Sequence, residues 1–185
     1  MAGAGVLAAL LGVVLGYRLS SRQEAATFQR NRTHAFIDEF HSAKFIEHRD
    51  ALWLTQQAVR NGDATIERIA RGFVHPITGD WYLGEVHFGL SEHDHLGVFF
   101  GFMVRLDMSI RSGTVCVREI RDSLAYENRW HAGLVREVSR RAIELSRRSG
   151  SVEPSFASCV LNVLNKLGLD KGFDEGLGSA TRSED

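Results

Sequence analysis

Cysteine and proline are both scarce. Two cysteines, Cys116 and Cys159, in 185 residues exclude a disulfide-stapled scaffold and a CxxC-type zinc module. Two prolines, Pro76 and Pro154, point to long helices rather than to many turns. Charge of one sign is lacking as well. A net charge of −1 argues against a protein that coats nucleic acid. No GxSxG, HExxH, P-loop or GxGxxG stands in the chain, and there is no internal repeat. What is present is a composition that supports a packed core, with 44% apolar and 24% charged residues. The length suits one domain plus an anchor and is too short for two well-built domains.

The longest apolar run opens the chain. MAGAGVLAALLGVVLGY (1–17) has no charged side chain. As a helix it is about 25 Å long, slightly under the roughly 30 Å hydrocarbon core of a bilayer. Arg18 can snorkel to close the gap. The run is read as a transmembrane anchor over 1–19. A signal peptide would want a positive n-region and a small-x-small cleavage site, and a buried globular helix would want a polar face. Arg18, Arg22, Arg30 and Arg32 follow the run, with Glu24 the one acid among them. The positive-inside rule then predicts an inner-membrane protein, single-pass, with its N-terminus outside and the bulk cytoplasmic. Cysteines there stay reduced. Ala4, Ala8, Gly12 and Gly16 recur every four residues, a small-residue face on which membrane helices pack.

Beyond the anchor the expected fold is all-α: a long membrane-proximal helix and a small helical bundle over 20–168, then a flexible tail over 169–185. Residues 20–60 read as one mostly uninterrupted helix. Phe36, Phe40, Ala43, Ala51, Leu54 and Ala58 form its apolar stripe, and the polar QRNRTH (29–34) forms a solvated stalk. Asn61-Gly62 stops it, and Asp63 is expected to cap a short helix ending near Gly72. Residues 73–91, punctuated by Pro76, Gly79, Gly84 and Gly89, read as an irregular aromatic loop with one short strand pair around 81–88. Trp81 and Tyr82 make this loop a candidate partner contact. Ser91 and Asp94 resemble a capping box that starts a buried central helix through 96–104, and Gly113 ends it. Thr114 is expected to cap a helix reaching Arg148, and a shorter one follows from Pro154 to Leu167.

Eight histidines invite a search for metal ligands. His34, His41 and His48 lie about 10 Å apart along a helix and read as a solvated edge. His87, His93 and His95 sit beside Glu85, Glu92 and Asp94, acids that the helix dipole already explains. The most specific polar set is His95, Glu127 and His131. Glu127 and His131 share a face at i,i+4, and inward carboxylate and imidazole groups build metal sites in bundles. A di-metal set repeats Glu-x-x-His on two helices, which this chain lacks. A buried Glu–His hydrogen bond, or a helix break near Gly133, is the competing explanation. Cys116 reads as a small buried hydrophobe. The arginines of 136–148 read as a salt-bridged face, with anionic lipid as the alternative. No cofactor and no nucleic-acid partner is indicated.

The apolar run, FIEHRDALW (45–53), LSEHDHLGVFFGFMVRLDMSIRSGTV (90–115) and Trp130 on the helix that follows together resemble a bacterial family of small, N-terminally membrane-anchored helical proteins. The domain of that family has no assigned function. The resemblance covers about residues 1–145, implies the architecture and transfers no catalytic residue. The expected function is a non-enzymatic interaction or accessory subunit of a bacterial inner-membrane assembly. Its partners would be the lipid bilayer and either a homo-oligomer or a larger membrane complex. A metal-binding helical enzyme or sensor is the alternative, and a stress- or phage-responsive membrane effector is a third.

Overall fold

A computed structural model of the chain describes residues 2–74 and 84–169, with side chains from residue 12 onward. Trp81, Tyr82, the side chains of Ala4 and Ala8, and the tail beyond 169 lie outside the described residues. Within them the protein is an all-α bundle. Its elements are α1 (Ala2–His41), α2 (Ala43–Asn61), α3 (Ile66–Val74), α4 (Glu92–Arg111), α5 (Val117–Ser149) and α6 (Ser155–Lys166). One small hairpin, β1 (Val86–His87) with β2 (Leu90–Ser91), precedes α4 and pairs Val86 with Ser91 and His87 with Leu90.

Short polar side chains set several boundaries. The helix expected over 20–60 is broken at Ser42, whose backbone is extended. Ser42 Oγ accepts from Phe45 N–H at 3.2 Å and donates to Glu39 O at 2.7 Å. A serine offering this cap lets the chain turn, so α2 starts afresh with a new rotational phase. The apolar stripe shifts accordingly. Phe36, Phe40 and Ala51 are buried as expected, but Leu52 takes the core position in place of Leu54, and Ala43 is exposed. Gly62 closes α2 in the left-handed conformation at φ 84°. Thr65, not Asp63, caps α3, its Oγ1 accepting from Arg68 N–H at 3.2 Å.

The Ser91–Asp94 capping box is present in full at the start of α4. The Thr114 cap of α5 is not. Thr114 Oγ1 bonds back to Ser109 O, and the N-cap is Cys116, which makes no side-chain cap. Cys116 N–H is instead bonded by Thr33 Oγ1 of α1 at 2.9 Å, so a distant helix supplies the acceptor. Helix α5 runs through Gly133 unbroken.

The core is aromatic at the α1–α2–α4 junction. The Phe102 ring lies 5.7 Å from those of Phe36 and Phe40 and 4.8 Å from that of Phe45. A second cluster joins α3, α4 and α6, where Phe100 stacks on Phe156 at 4.7 Å and meets Phe73 at 5.1 Å. Arg141 of α5 ties α3 to the bundle through Glu67 at 2.5 Å.

Helix α1 has two unlike halves. From Gln29 onward it is docked: Gln29 Nε2 donates to Gly113 O at 3.2 Å and Val115 O at 3.3 Å, and Arg32 reaches Ser109. The QRNRTH segment is therefore not a purely solvated stalk, because its glutamine and threonine satisfy the turn between α4 and α5. Residues 12–28 are exposed on every side. They include Val13, Leu15, Tyr17, Leu19 and Phe28, each more than half exposed. Among the described residues no helix is long and apolar enough to cross a membrane. Of the apolar run 1–17, only residues 12–17 have described side chains.

Candidate functional site

The densest polar cluster lies where the hairpin meets α2 and α4. His48, on α2 three residues beyond Phe45, is buried rather than solvated, which corrects the expectation for the His34, His41 and His48 stripe. The break at Ser42 turns that face of α2 inward. His34 and His41 remain exposed. His48 Nδ1 lies 2.8 Å from Nδ1 of His95, the fourth residue of α4, which is fully buried. The other ring nitrogen of His95, Nε2, lies 2.8 Å from the carbonyl oxygen of His87 in the hairpin.

A carbonyl only accepts, so Nε2 of His95 carries a proton. Nδ1 of neutral His95 then accepts from Nδ1–H of His48. The His87 side chain turns the other way, its Nε2 lying 3.3 Å from the buried carboxylate of Glu92. Gly84 packs so closely on Glu92 that a Cβ there would stand 2.3 Å from Oε2. Burial and the neighbouring His95 lower the pKa of His48, with Lys44 acting the same way and Glu47 opposing.

His131 lies on the far side of Phe99, their ring centroids 6.4 Å apart. Burial, and then the Arg49 cation, push its pKa down to about 4. Its Nδ1 and both amide atoms of Asn128, one turn earlier on α5, are buried without a protein partner. Glu127 faces a different group. It is ion-paired with Arg49 and lies 3.7 Å from His41. The three sequence candidates thus have separate partners: His95 takes His48 and the hairpin, Glu127 takes Arg49, and His131 packs on Phe99. Among the described residues no three His, Cys, Asp or Glu side chains converge as metal ligands.

Beside this cluster an open cleft runs between α2 and the hairpin, lined by Asp50, Trp53, Leu54, Val86, His87 and Phe88. Trp53, Val86 and Phe88 are each more than half exposed. Phe88 sits at φ 50° in the two-residue turn, followed by Gly89 at φ 80°. That turn geometry favours Asn-Gly, so an aromatic there holds a strained conformation.

Comparison with protein-family models, curated proteins and solved structures finds no match for this chain.

The other candidates are ion-paired or packed. Asp107 is a buried carboxylate, bonded by Arg111 at 2.7 Å and by Asn162 of α6. Burial, and then the hydrogen bond to Asp107, raise the Cys159 pKa, which keeps that thiol protonated and unreactive. Cys116 is half-buried. Arg140 pairs with Glu137, and Arg141 with Glu144 and Glu67. The two i,i+3 pairs, Arg140–Glu137 and Arg141–Glu144, lie on the face that the sequence reads as salt-bridged. Arg136 is buried and donates to Leu169 O. Sequence reasoning missed His48 and Asp107 as interior polar groups. The available signals were the i,i+3 spacing of His48 from Phe45 and the place of Asp107 next to Leu106.

Proposed function

We propose that the chain is a non-enzymatic interaction or accessory subunit held at a bacterial inner membrane by a helix over residues 1–19. The observation that carries this reading is the free-standing part of α1. A 40-residue helix docks by its last third, while residues 12–28 are all exposed. Leaving Val13, Val14 and Leu15 bare in water is costly, and a bilayer or a partner helix removes that cost. Nothing lies within 4 Å of a Cβ placed at Gly12 or Gly16, which leaves this face open to a neighbouring helix. Between Tyr17 and Gln29 the helix spans about 18 Å, enough to hold the bundle clear of the headgroups. Arg18 and Arg22 start that spacer and favour the cytoplasmic side.

The partners under this reading are the lipid bilayer and either further copies of the chain or a larger membrane complex. The exposed apolar strip of Trp53, Val86 and Phe88 supplies a contact surface on the bundle. The test is purification from the native membrane in mild detergent, with assembly mass and composition read by mass spectrometry. A stoichiometric partner or a defined homo-oligomer is expected, and Gly12→Leu with Gly16→Leu should shrink the assembly. A monomer without partner, unaffected by the substitutions, overturns the reading.

A further inference from the structure

The bond between His48 and His95 has a property that follows from counting protons. In the neutral pair one hydrogen lies between the two Nδ1 atoms and one lies on Nε2 of His95. A first added proton is accommodated: it enters at Nε2 of His48, the bridging hydrogen moves onto His95, and the contact survives. A second cannot be. Both Nδ1 atoms would then carry hydrogen, two donors would face each other, and two positive rings would lie in contact.

We propose that the His48–His95 bridge is an acid-operated latch whose second protonation breaks the contact between α2 and the start of α4, and so frees from α2 the β1–β2 hairpin that His95 holds through His87 O. The hairpin is the part that yields. His48 sits on a helix packed into the aromatic core, beside Phe45 and Leu52. The hairpin has two residues per strand, a strained turn at Phe88, and a hold on α4 through His87 O. Its outward side chains Val86 and Phe88 form one wall of the cleft opposite Trp53, so release of the latch remodels that surface.

The charged surroundings set the direction. On α2, Lys44 opposes protonation of His48 and Glu47 favours it, while burial and His95 oppose it. From α4 and the hairpin, Glu92 is engaged with His87, and the exposed Glu85 lies 3.9 Å from the His87 ring. From α5, Glu127 is held by Arg49, and His131 lies behind Phe99. From α1, Glu39 is held by Arg105, and His41 lies against Glu127. Asp94, beside His95 on α4, interacts with it and is also bonded by Ser91 Oγ, while Glu92, Glu127 and Glu39 are each engaged with a basic partner.

The test is hydrogen exchange of the full-length protein read by mass spectrometry at about pH 7.5 and about pH 5, corrected for intrinsic exchange. Peptides covering 84–92 report the hairpin, where Glu92 N–H is bonded to Glu85 O. Peptides from α3 and α5 are the internal reference. The expected result is hairpin exchange at least about tenfold faster at the lower pH, relative to that reference, the ratio that one pKa unit supplies. In His48→Gln the amide still donates to His95 but cannot take a proton, so the acceleration should vanish. Unchanged hairpin exchange in the wild type, or equal acceleration in His48→Gln, overturns the proposal. Should that variant fail to fold, nitrogen NMR of the two wild-type rings decides. Two separated titration steps are expected, and one shared midpoint overturns the latch.

Discussion

Phe102 lies against three other phenyl rings from two helices, so its side chain joins α1, α2 and α4 at one point. Phe102→Ala should cost about 3–5 kcal/mol, because the surrounding rings are too rigid to fill the space. Chemical denaturation measures it, and a loss below about 1 kcal/mol would mean the cluster relaxes freely. His131 gives the pH dependence. Its imidazole is kept neutral in the fold down to about pH 4, whereas an unfolded chain takes a proton near pH 6.5. Between these values the unfolded state binds more protons, so stability falls as pH falls and levels off near pH 4. The loss from this residue is of the order of 3 kcal/mol. Burial of His48 and His93 acts in the same direction. Replacing His131 by Gln should therefore flatten, without abolishing, the acidic side of a stability–pH curve. At this scale the sequence was least legible. Forty-seven positions separate His48 from His95 and fifty-five separate Asn162 from Asp107, and no local pattern announces such pairs. The Glu127–His131 spacing was locally sound, yet Arg49 from another helix captured the carboxylate.

Among the elements, caps carried the readable information. Ser91 with Asp94, Gly62 and the α6 start at Pro154 were all visible as short-range signals, and the structure uses them. Ser42 was overlooked because serine is tolerated within helices, and here tertiary packing of Phe40 against Phe45 rewards the turn. Ser42→Ala removes the acceptor for Phe45 N–H and should cost about 1 kcal/mol, measured by thermal or denaturant unfolding. The hairpin offers a sharper case. Gly84 holds φ 70° and has the Glu92 side chain where a Cβ would go. Gly84→Ala should destabilise the hairpin locally, seen as faster exchange of residues 84–92 with little change in α5. Equal protection in both forms would contradict that placement. The start of α5 was not legible at all, since its acceptor is Thr33 on α1, eighty-three residues away.

For the whole molecule, the all-α architecture and the order of helices followed from periodicity and from the scarcity of proline. The division of α1 into a docked and a bare half did not. Both halves contain charged and polar residues, and only the turn between α4 and α5 distinguishes them by accepting the hydrogen bonds of Gln29. The exposed stretch of residues 12–28 is the feature on which the proposed anchoring rests. Residues 12–28 of α1 are exposed, and the uncharged run of residues 1–17 is the segment proposed as the anchor. The most direct measurement is alkaline extraction and flotation of the full-length protein from membranes, beside a Leu10→Arg variant. The anchor account predicts that the wild type floats with lipid after extraction and that the arginine, costing about 3 kcal/mol at mid-helix, shifts a large fraction to the supernatant. Complete release of the wild type into the supernatant would contradict it.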